Sequence, residues 1–353
     1  MLIPNDLQPK FLFLSINEMC NLRCLHCDYW RTKQPSLEYL SLLRQREILA
    51  EFARLSPSGK VVICGGEPML DPNTYFEVCR VAHLHGLQAI SVVNGTMIAT
   101  SSDAERLIGE GPNEISISLD GPNSIIHDRV RGRRGSFDQA TTAVKLLLDA
   151  RKRLKSNSKI YTMGLLSAST YHHLEEFYRL VLVELGADKL KLNCLQPTFA
   201  NIRLNQHETR QSGGKGDTFF EKESQVDPDS LENYLHLCNE KFALNYNPKW
   251  IAQIVSYFRG INTHENLTLG WLSGAKTEEQ ICNTHERNIM VNVTGDASLC
   301  FSNAFPSIKL RESGDLTRFW EGRNGEGYAG MPTCRALCGI SHSVRRESAT
   351  LNR

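Results

Sequence analysis

Apolar, β-rich runs alternate with amphipathic stretches between residues 11 and 196. The runs predict six strands, at 11–16, 60–66, 88–94, 114–120, 159–167 and 189–196. The stretches between them carry apolar residues at helical spacing and predict helices at 37–55, 74–85, 103–109, 137–154 and 173–185. Strands that alternate with helices are typical of parallel sheets. The pattern therefore predicts an α/β fold, a partial (β/α)6 barrel similar to a TIM barrel.

The chain changes character after Pro197. Residues 201–229 are polar, and the run Gly213-Gly214-Lys215-Gly216 lacks the spacing of a Walker loop, so it predicts an irregular loop. Helical spacing returns at 231–243 and 248–258. The predicted division is a barrel at 1–200, a polar loop and helical linker region at 201–275, and a small β-hairpin/α module at 276–353.

Composition narrows the class of partner. The 353 residues include 40 Lys and Arg against 39 Asp and Glu, and a net charge of +1 gives no global field for nucleic acid or acidic membrane. No apolar run approaches the ~20 residues of a membrane span, and no secretion leader begins the chain. We therefore expect a cytoplasmic protein, in which eleven cysteines suit metal ligation better than disulfides.

Three cysteines follow the first predicted strand. Cys20, Cys24 and Cys27 have C-x3-C-x2-C spacing, and the next cysteine, Cys64, lies in another predicted strand. A tetrahedral zinc site would need a fourth ligand close by. Three thiolates can hold an iron-sulfur cluster and leave one iron open to a non-protein ligand. The spacing favours such a cluster, with a zinc knuckle as the alternative.

This spacing resembles the cluster motif of the radical S-adenosylmethionine (SAM) superfamily, and four further motifs add to the resemblance. The run Gly65-Gly66-Glu67-Pro68 is similar to the family's GGEP motif. The others resemble members with C-terminal auxiliary clusters: Asn94-Gly95, the Ser-Ile-Ser-Leu-Asp-Gly run at 116–121, and His127-Asp128 through Arg131-Gly132. The chain is identified by this resemblance as a radical SAM enzyme.

The resemblance implies roles for the matching residues. Cys20, Cys24 and Cys27 would bind a [4Fe-4S] cluster, with Tyr29 beside it. The residues that would hold the SAM amino group are Gly65, Gly66, Glu67 and Pro68, and Asn94, Ser118 and Arg131 are candidates for its ribose or carboxylate. Arg131 has an alternative interpretation as one of four solvated arginines, with Arg129, Arg133 and Arg134. Ser118 and Asp120 alternate along one predicted strand, so both are expected on one face.

Each of these motifs follows a predicted strand. The cysteine loop follows the first strand, GGEP the second, Asn94 the third and Asp120 the fourth. In barrels of parallel strands, functional groups collect at the C-terminal ends of the strands. The sequence therefore predicts one site at that edge.

A second cysteine group lies near the C-terminus, at Cys282, Cys300, Cys334 and Cys338. Residues 291–300 predict a β-hairpin with its turn at 294–296 and Cys300 on the return strand. Four thiolates complete a [4Fe-4S] cluster or a zinc site. The arrangement resembles the twitch module, a shortened SPASM domain, which implies one auxiliary [4Fe-4S] cluster. A zinc staple and four unrelated buried thiols are the alternatives.

Four cysteines remain outside the two groups. Cys64, Cys79 and Cys238 are expected to pack as small hydrophobic residues. Cys194, near the end of the sixth predicted strand, is a candidate to face the barrel interior, although a functional thiol there is the less favoured interpretation.

The resemblance implies reductive cleavage of SAM to a 5′-deoxyadenosyl radical that abstracts hydrogen from a substrate. We expect a small, sugar-like or aminocyclitol-like substrate oxidised through the auxiliary cluster, because no peptide-recognition domain precedes Cys20. The alternatives are a maturase that cross-links, oxidises or epimerises a ribosomal peptide, and a non-enzymatic zinc or iron-sulfur scaffold. A resemblance to the molybdopterin-precursor cyclase is disfavoured because the chain lacks a Gly-Gly tail. A flavodoxin or ferredoxin is the expected electron donor, and no residue is assigned as general base.

Overall fold

The computed structural model describes residues 7–27, 29–31, 38–195, 218–262, 280–282, 284–300, 306–331 and 343–345. Its strands are β1 (Phe11–Asn17), β2 (Lys60–Gly65), β3 (Gln88–Val93), β4 (Glu114–Ser118), β5 (Lys159–Leu166), β6 (Lys189–Cys194), β7 (Gln280–Cys282), β8 (Asn288–Val291), β9 (Asp296–Ser298), β10 (Ile308–Lys309) and β11 (Ser343–Arg345). Strands β1 to β6 are parallel and pair in chain order. All six predicted strands are confirmed, each end within two residues.

Helices connect these strands. They are α1 (Leu42–Leu55), α2 (Pro72–Leu84), α3 (Ser101–Glu110), α4 (Ser124–Arg131), α5 (Ser136–Arg153), α6 (Leu174–Tyr178), α7 (Thr218–Glu223), α8 (Pro228–Lys241), α9 (Pro248–Asn262) and α10 (Asp315–Glu321). A π-helical stretch, Arg179–Glu184, continues α6. The sequence did not predict α4, α7 or α10, which have six to eight residues and too few apolar positions to show a period. The α/β class and the parallel, barrel-like sheet agree with the prediction.

One face of the sheet is fully buried and the other is half-buried. In β1, Leu12 and Leu14 are fully buried in the core, whereas Phe11 and Phe13 on the opposite face are partly exposed. Alternate strand residues point to opposite faces, so this pattern shows a sheet covered by helices on one side only. The half-buried face is the interior surface of the partial barrel.

Cys194 does not face the barrel interior, and Cys64 lies on the opposite face of the sheet from it, whereas Cys79 and Cys238 are fully buried as expected. Cys194 is only 2% exposed and lies on the helix-covered face with Leu190 and Leu192. Cys64 shares the half-buried face with Ser15, whose Oγ is 3.6 Å from the Cys64 sulfur. Strand parity, which places the residues of β2 and β6 on one face or the other, decides this outcome.

The C-terminal hairpin extends the barrel sheet. Strand β8 pairs in parallel with β1 and antiparallel with β9, and the turn between β8 and β9 has Gly295 at φ +86°. The predicted hairpin is therefore present, but Cys300 lies two residues beyond the end of β9 instead of on it. Helix α10 is attached to α1 through the buried Glu51, which accepts hydrogen bonds from the Gly314 and Leu316 amides at 2.8 and 3.1 Å.

None of the helices that the structure describes is both long enough and apolar enough to cross a membrane.

Candidate functional site at the C-terminal edge of the sheet

The cysteine loop begins directly after β1 and folds into a compact turn. The Cys27 amide donates to the Cys24 carbonyl oxygen at 3.3 Å, and the indole Nε1 of Trp30 donates to the same oxygen at 2.9 Å. Backbone amides also donate to the sulfurs, from Leu22 to Cys20 and from Tyr29 to Cys27. The loop therefore holds three thiols by local backbone contacts, and Tyr29 acts here through its amide.

The GGEP segment presses against the cysteine loop. The Gly66 amide donates to the Asn17 carbonyl oxygen at 3.1 Å, and the Glu67 amide donates to the Met19 carbonyl oxygen at 2.6 Å. A Cβ atom on Gly66 would lie 2.0 Å from the Met19 oxygen, and one on Gly65 would lie 2.3 Å from the Asn17 oxygen. Only glycine permits this approach, since a side chain at either position would displace the loop.

The Glu67 carboxylate joins the second and third strand ends. It accepts hydrogen bonds from the Met69 amide at 3.1 Å and from the Asn94 amide at 2.7 Å. Burial raises the pKa of Glu67 to about 7, although these two amides oppose that shift. The resemblance predicts that Glu67 contacts SAM, and in this structure its carboxylate is a support between β2 and β3.

The side chain of Asn94 also supports the cysteine loop. Its Nδ2 donates to Asn21 Oδ1 at 2.8 Å, and its Oδ1 accepts from the Thr96 amide and hydroxyl at 2.9 and 2.7 Å. Asn21 Nδ2 donates in turn to Thr96 Oγ1 at 2.8 Å. The predicted SAM-contact candidate therefore has its amide engaged with the loop that carries the cysteines.

Arg131 and Asp120 form a buried ion pair beside Cys24. Arg131 Nε is 2.6 Å from Asp120 Oδ2, and Arg131 Nη1 donates to the Cys24 sulfur at 3.8 Å. Burial is the largest influence on the pKa of Asp120 and would raise it, but the Arg131 guanidinium together with His26 and His127 lowers that pKa. The alternative that placed Arg131 in a solvated cluster is wrong, because α4 turns this residue inward while Arg133 and Arg134 stay exposed. Arg129 pairs with Glu223 at the surface.

The motif that runs from His127-Asp128 to Arg131-Gly132 is held in place by hydrogen bonds within residues 120–137. His127 Nδ1 accepts a hydrogen bond from the Asp120 amide at 3.0 Å, and Asp128 accepts from the Gly135 and Phe137 amides at 2.6 and 2.8 Å. Gly132, at φ +64°, ends α4 in the left-handed conformation. A Cβ atom at this position would lie 2.2 Å from the Arg23 carbonyl oxygen, so the close approach of α4 to the cysteine loop requires glycine.

Helix α4 is bonded to the cysteine loop through the backbone. The Arg23 amide donates to the Arg131 carbonyl oxygen at 3.2 Å, and the Leu25 amide donates to the Val130 carbonyl oxygen at 2.9 Å. Ser118, the last residue of β4, is buried at this edge together with Asp120. The structure thus brings the cysteine loop, GGEP, Asn94, Ser118 and Arg131 together at the C-terminal ends of β1 to β4.

The donor set fits an iron-sulfur cluster. Burial raises the pKa of Cys20 to about 11 and of Cys27 to about 12, and the neighbouring thiols add to both shifts. Crowded thiolates are therefore stable here only with a positive partner, which bound iron supplies. In the described segments no three His, Cys, Asp or Glu side chains converge on a single ion. An iron-sulfur cluster does not require this convergence, because each thiolate binds a different iron of the cluster and the ligands therefore stand farther apart.

His26 is a residue of this site that the sequence argument missed. Its Nδ1 is buried without a hydrogen-bond partner, and its ring lies 6.5 Å from that of Phe219. Burial lowers the pKa of His26 to about 4, with Asp120 opposing and Arg131 reinforcing the shift. Its position between Cys24 and Cys27 was the available signal. The neutral His26 ring therefore has its Nδ1 buried at the cysteine loop with no hydrogen bond to satisfy it.

The second cysteine group is only partly described. Cys282 ends β7, which pairs with β11, and Cys300 is half-buried after β9. Cys334 and Cys338 lie outside the described residues. The auxiliary cluster therefore stays a prediction.

Comparison with known proteins adds to the geometry. The sequence profile of the Radical SAM superfamily matches residues 14–181. The AdoMet-dependent heme synthase of Methanosarcina barkeri is 26% identical over 230 residues, which is 65% of this chain and 57% of that protein. The mycofactocin maturase MftC of Mycolicibacterium smegmatis is 34% identical over 142 residues, 40% of this chain and 35% of that protein. The matches thus span between about a third and somewhat over half of these relatives.

Solved structures show the same fold over a longer stretch. Streptococcus suis SuiB bound to S-adenosylmethionine superposes with a TM-score of 0.64 at 14% identity, over 93% of this chain and 68% of that one. The complex of SuiB with the precursor peptide SuiA gives a TM-score of 0.61 at 14% identity, over 93% and 67% of the two chains.

Proposed function

Because residues 14–181 belong to the radical SAM superfamily, whose cofactors are S-adenosylmethionine and a [4Fe-4S] cluster, we propose that Cys20, Cys24 and Cys27 hold that cluster. The observation that carries this assignment is the junction of the three-thiol loop with the GGEP segment. Loop and segment are joined by the Glu67 amide on the Met19 oxygen and by the Gly66 amide on the Asn17 oxygen. The bound cluster would supply one electron for the reductive cleavage of SAM.

The residues of the chain position and shield this chemistry. Gly65 and Gly66 bring the β2 end against the loop, and the backbone carbonyl oxygens of 65–68 are proposed as acceptors for the amino group of SAM. Ser118, Asn94 and Arg131 are proposed for its ribose and carboxylate. Helices cover the outer face of the sheet, so the substrate is proposed to lie on the half-buried inner face, where water is excluded when it binds.

The half-buried face also carries a charged pair, at the N-terminal end of β4 and away from the edge where the cysteine loop lies. The Lys191 ammonium pairs with Glu114 and lies 4.3 Å from the Tyr161 ring centroid. Partial burial lowers the pKa of Lys191, and Glu114 opposes that shift.

For the substrate we propose a peptide, modified as by a maturase. The sugar-like or aminocyclitol-like class expected from the sequence has no support among the relatives. Support for a peptide comes from the 34% identity to a maturase and from the fold shared with SuiB, which is solved with a precursor peptide. A tetrapyrrole is the second candidate, since the heme synthase aligns over the longest stretch of the relatives compared.

We propose in addition that Cys282, Cys300, Cys334 and Cys338 hold an auxiliary [4Fe-4S] cluster that would accept an electron from the substrate radical, which leaves the substrate oxidised. Support for this role comes from the hairpin, which attaches Cys300 to the barrel sheet through β8 and β1.

Anaerobic reconstitution tests the proposed function. With iron, sulfide, dithionite and SAM, we expect a brown protein with about eight irons per chain that forms 5′-deoxyadenosine. A short peptide encoded beside the gene, added to this mixture, should lose mass through loss of hydrogen. A colourless zinc protein that leaves SAM intact would contradict the proposal, and mass change in a porphyrin in place of the peptide would select the second candidate.

A further inference from the structure

Arg131 is buried in a way that the SAM-contact role does not require. Its side chain is 12% exposed, whereas Arg133 and Arg134 of the same segment are exposed. A buried guanidinium costs several kcal/mol unless its donors are satisfied. Nε lies against Asp120 and Nη1 points at the Cys24 sulfur, so the side chain spans the gap between a carboxylate and a candidate cluster ligand.

The position of Arg131 is fixed from both ends. At the backbone its carbonyl oxygen accepts the Arg23 amide at 3.2 Å, and at the side chain Asp120 is itself held by the Leu165 amide on Oδ1 at 3.0 Å. Asp120 is 1% exposed, so water does not screen the pair. The result is a fixed ion pair whose guanidinium donates to the Cys24 sulfur, while the Asp120 carboxylate acts on the same sulfur with the opposite sign.

We propose that Arg131 sets the reduction potential of the cluster by donating to the Cys24 sulfur, with Asp120 as its opposing charge. The inference rests on the proposed binding of that cluster by Cys20, Cys24 and Cys27. Hydrogen bonds and positive charge at the cysteine sulfurs stabilise the reduced, more negative cluster. Removal of the cation should therefore make reduction harder, and removal of the anion should make it easier. Arg131 is a positioning and tuning residue in this role.

The test is an anaerobic redox titration of the reconstituted full-length protein, followed by electron paramagnetic resonance. The signal of the first cluster is recognised by its change when SAM is added. At one fixed solution potential, R131Q should show at least a tenfold lower ratio of reduced to oxidised cluster, which is a shift of ~59 mV for one electron. R131K should lie between R131Q and the wild type. D120N should shift in the opposite direction.

The matched control is R133Q, which removes the same charge two residues away from an exposed position. It should leave the potential unchanged. A purely structural role for the ion pair would lower the iron content of R131Q and D120N alike and move both potentials in the same direction or not at all, and either result overturns the inference. If R131Q loses its iron, the reduction potential of D120N decides between the two roles, because this variant keeps Arg131. A potential for D120N that is unchanged or lower than that of the wild type would then overturn the inference. Failure of the wild type to form a SAM-responsive cluster would instead overturn the proposed function.

Discussion

The two cysteine groups of this chain differ in how their ligands are brought together. Cys20, Cys24 and Cys27 lie within eight residues of one loop, whereas Cys282 and Cys338 are separated by 55 intervening residues. The first loop is held by backbone hydrogen bonds to the GGEP segment and to the end of α4. In the second group, Cys282 lies in β7, which pairs with the distant strand β11, and Cys300 follows the β8–β9 hairpin. The first group therefore has its cysteines in one loop that distant segments support, whereas the second group would need distant segments even to bring its cysteines together.

Of the substitutions that compare the two groups, replacement of Cys20, Cys24 and Cys27 with Ala should have the largest effect on iron content and activity. We expect loss of the iron of one cluster and of all 5′-deoxyadenosine formation, because these three thiols are the proposed ligands of that cluster. Iron analysis and chromatography of the products measure both. If the triple variant still cleaved SAM at the wild-type rate, the first group would not be the reactive one.

The substitution Gly66→Ala should disrupt the first group without touching a cysteine. Its Cβ would lie 2.0 Å from the Met19 carbonyl oxygen, so the loop must move, at a cost of about 3 kcal/mol. We expect most of the SAM-responsive cluster to be lost, measured by iron content and by the SAM-induced spectral change.

Gly109→Ala is the control for this substitution. Gly109 lies in α3 with no atom within 4 Å of the added Cβ, so Ala should stabilise the helix by about 0.5 to 1 kcal/mol. Equal iron content in the Gly66 and Gly109 variants would show that the close approach of the two segments is dispensable.

Replacement of Cys334 and Cys338 with Ala tests the second group. We expect SAM cleavage to persist and oxidised substrate to disappear, because a fully ligated cluster leaves no iron open to SAM. Metal binding also folds such modules, so circular dichroism and iron analysis must accompany the assay. Full product formation by a well-folded variant would exclude the electron-acceptor role, and zinc in anaerobically purified protein would exclude the cluster.

Of the substitutions that compare the two groups, Glu51→Ala should affect the cysteines least. It removes the hydrogen bonds that attach α10 to α1. Glu51 is fully buried, caps α10 and lies 3.5 Å from the guanidinium of Arg44, so its loss should lower the free energy of unfolding by roughly 3 kcal/mol. Chemical denaturation measures the change.

Glu47→Ala provides the comparison, since Glu47 pairs with the same arginine from a side chain that is 42% exposed. Its loss should cost less than about 1 kcal/mol. Similar destabilisation in both variants would show that the contact with α10 contributes little.

The sequence by itself determined the parts that depend on short-range patterns. Six strands follow from runs of apolar, β-branched residues, and the cysteine loop follows from three ligands too close together for anything but one site. The motifs were also expected at one edge, because parallel strands end on the same side. These features need no knowledge of which residues meet across the fold.

The tertiary structure alone decided the supports of the site. That Asn94 bonds Asn21, that Glu67 joins β2 to β3, and that Arg131 pairs with Asp120 beside Cys24 all depend on contacts between residues at least 11 positions apart. Burial of a guanidinium or a carboxylate is set by the packing around it, which no local pattern records. The same reason governs Cys64 and Cys194, since an error of one residue in strand parity exchanges the covered face for the open one.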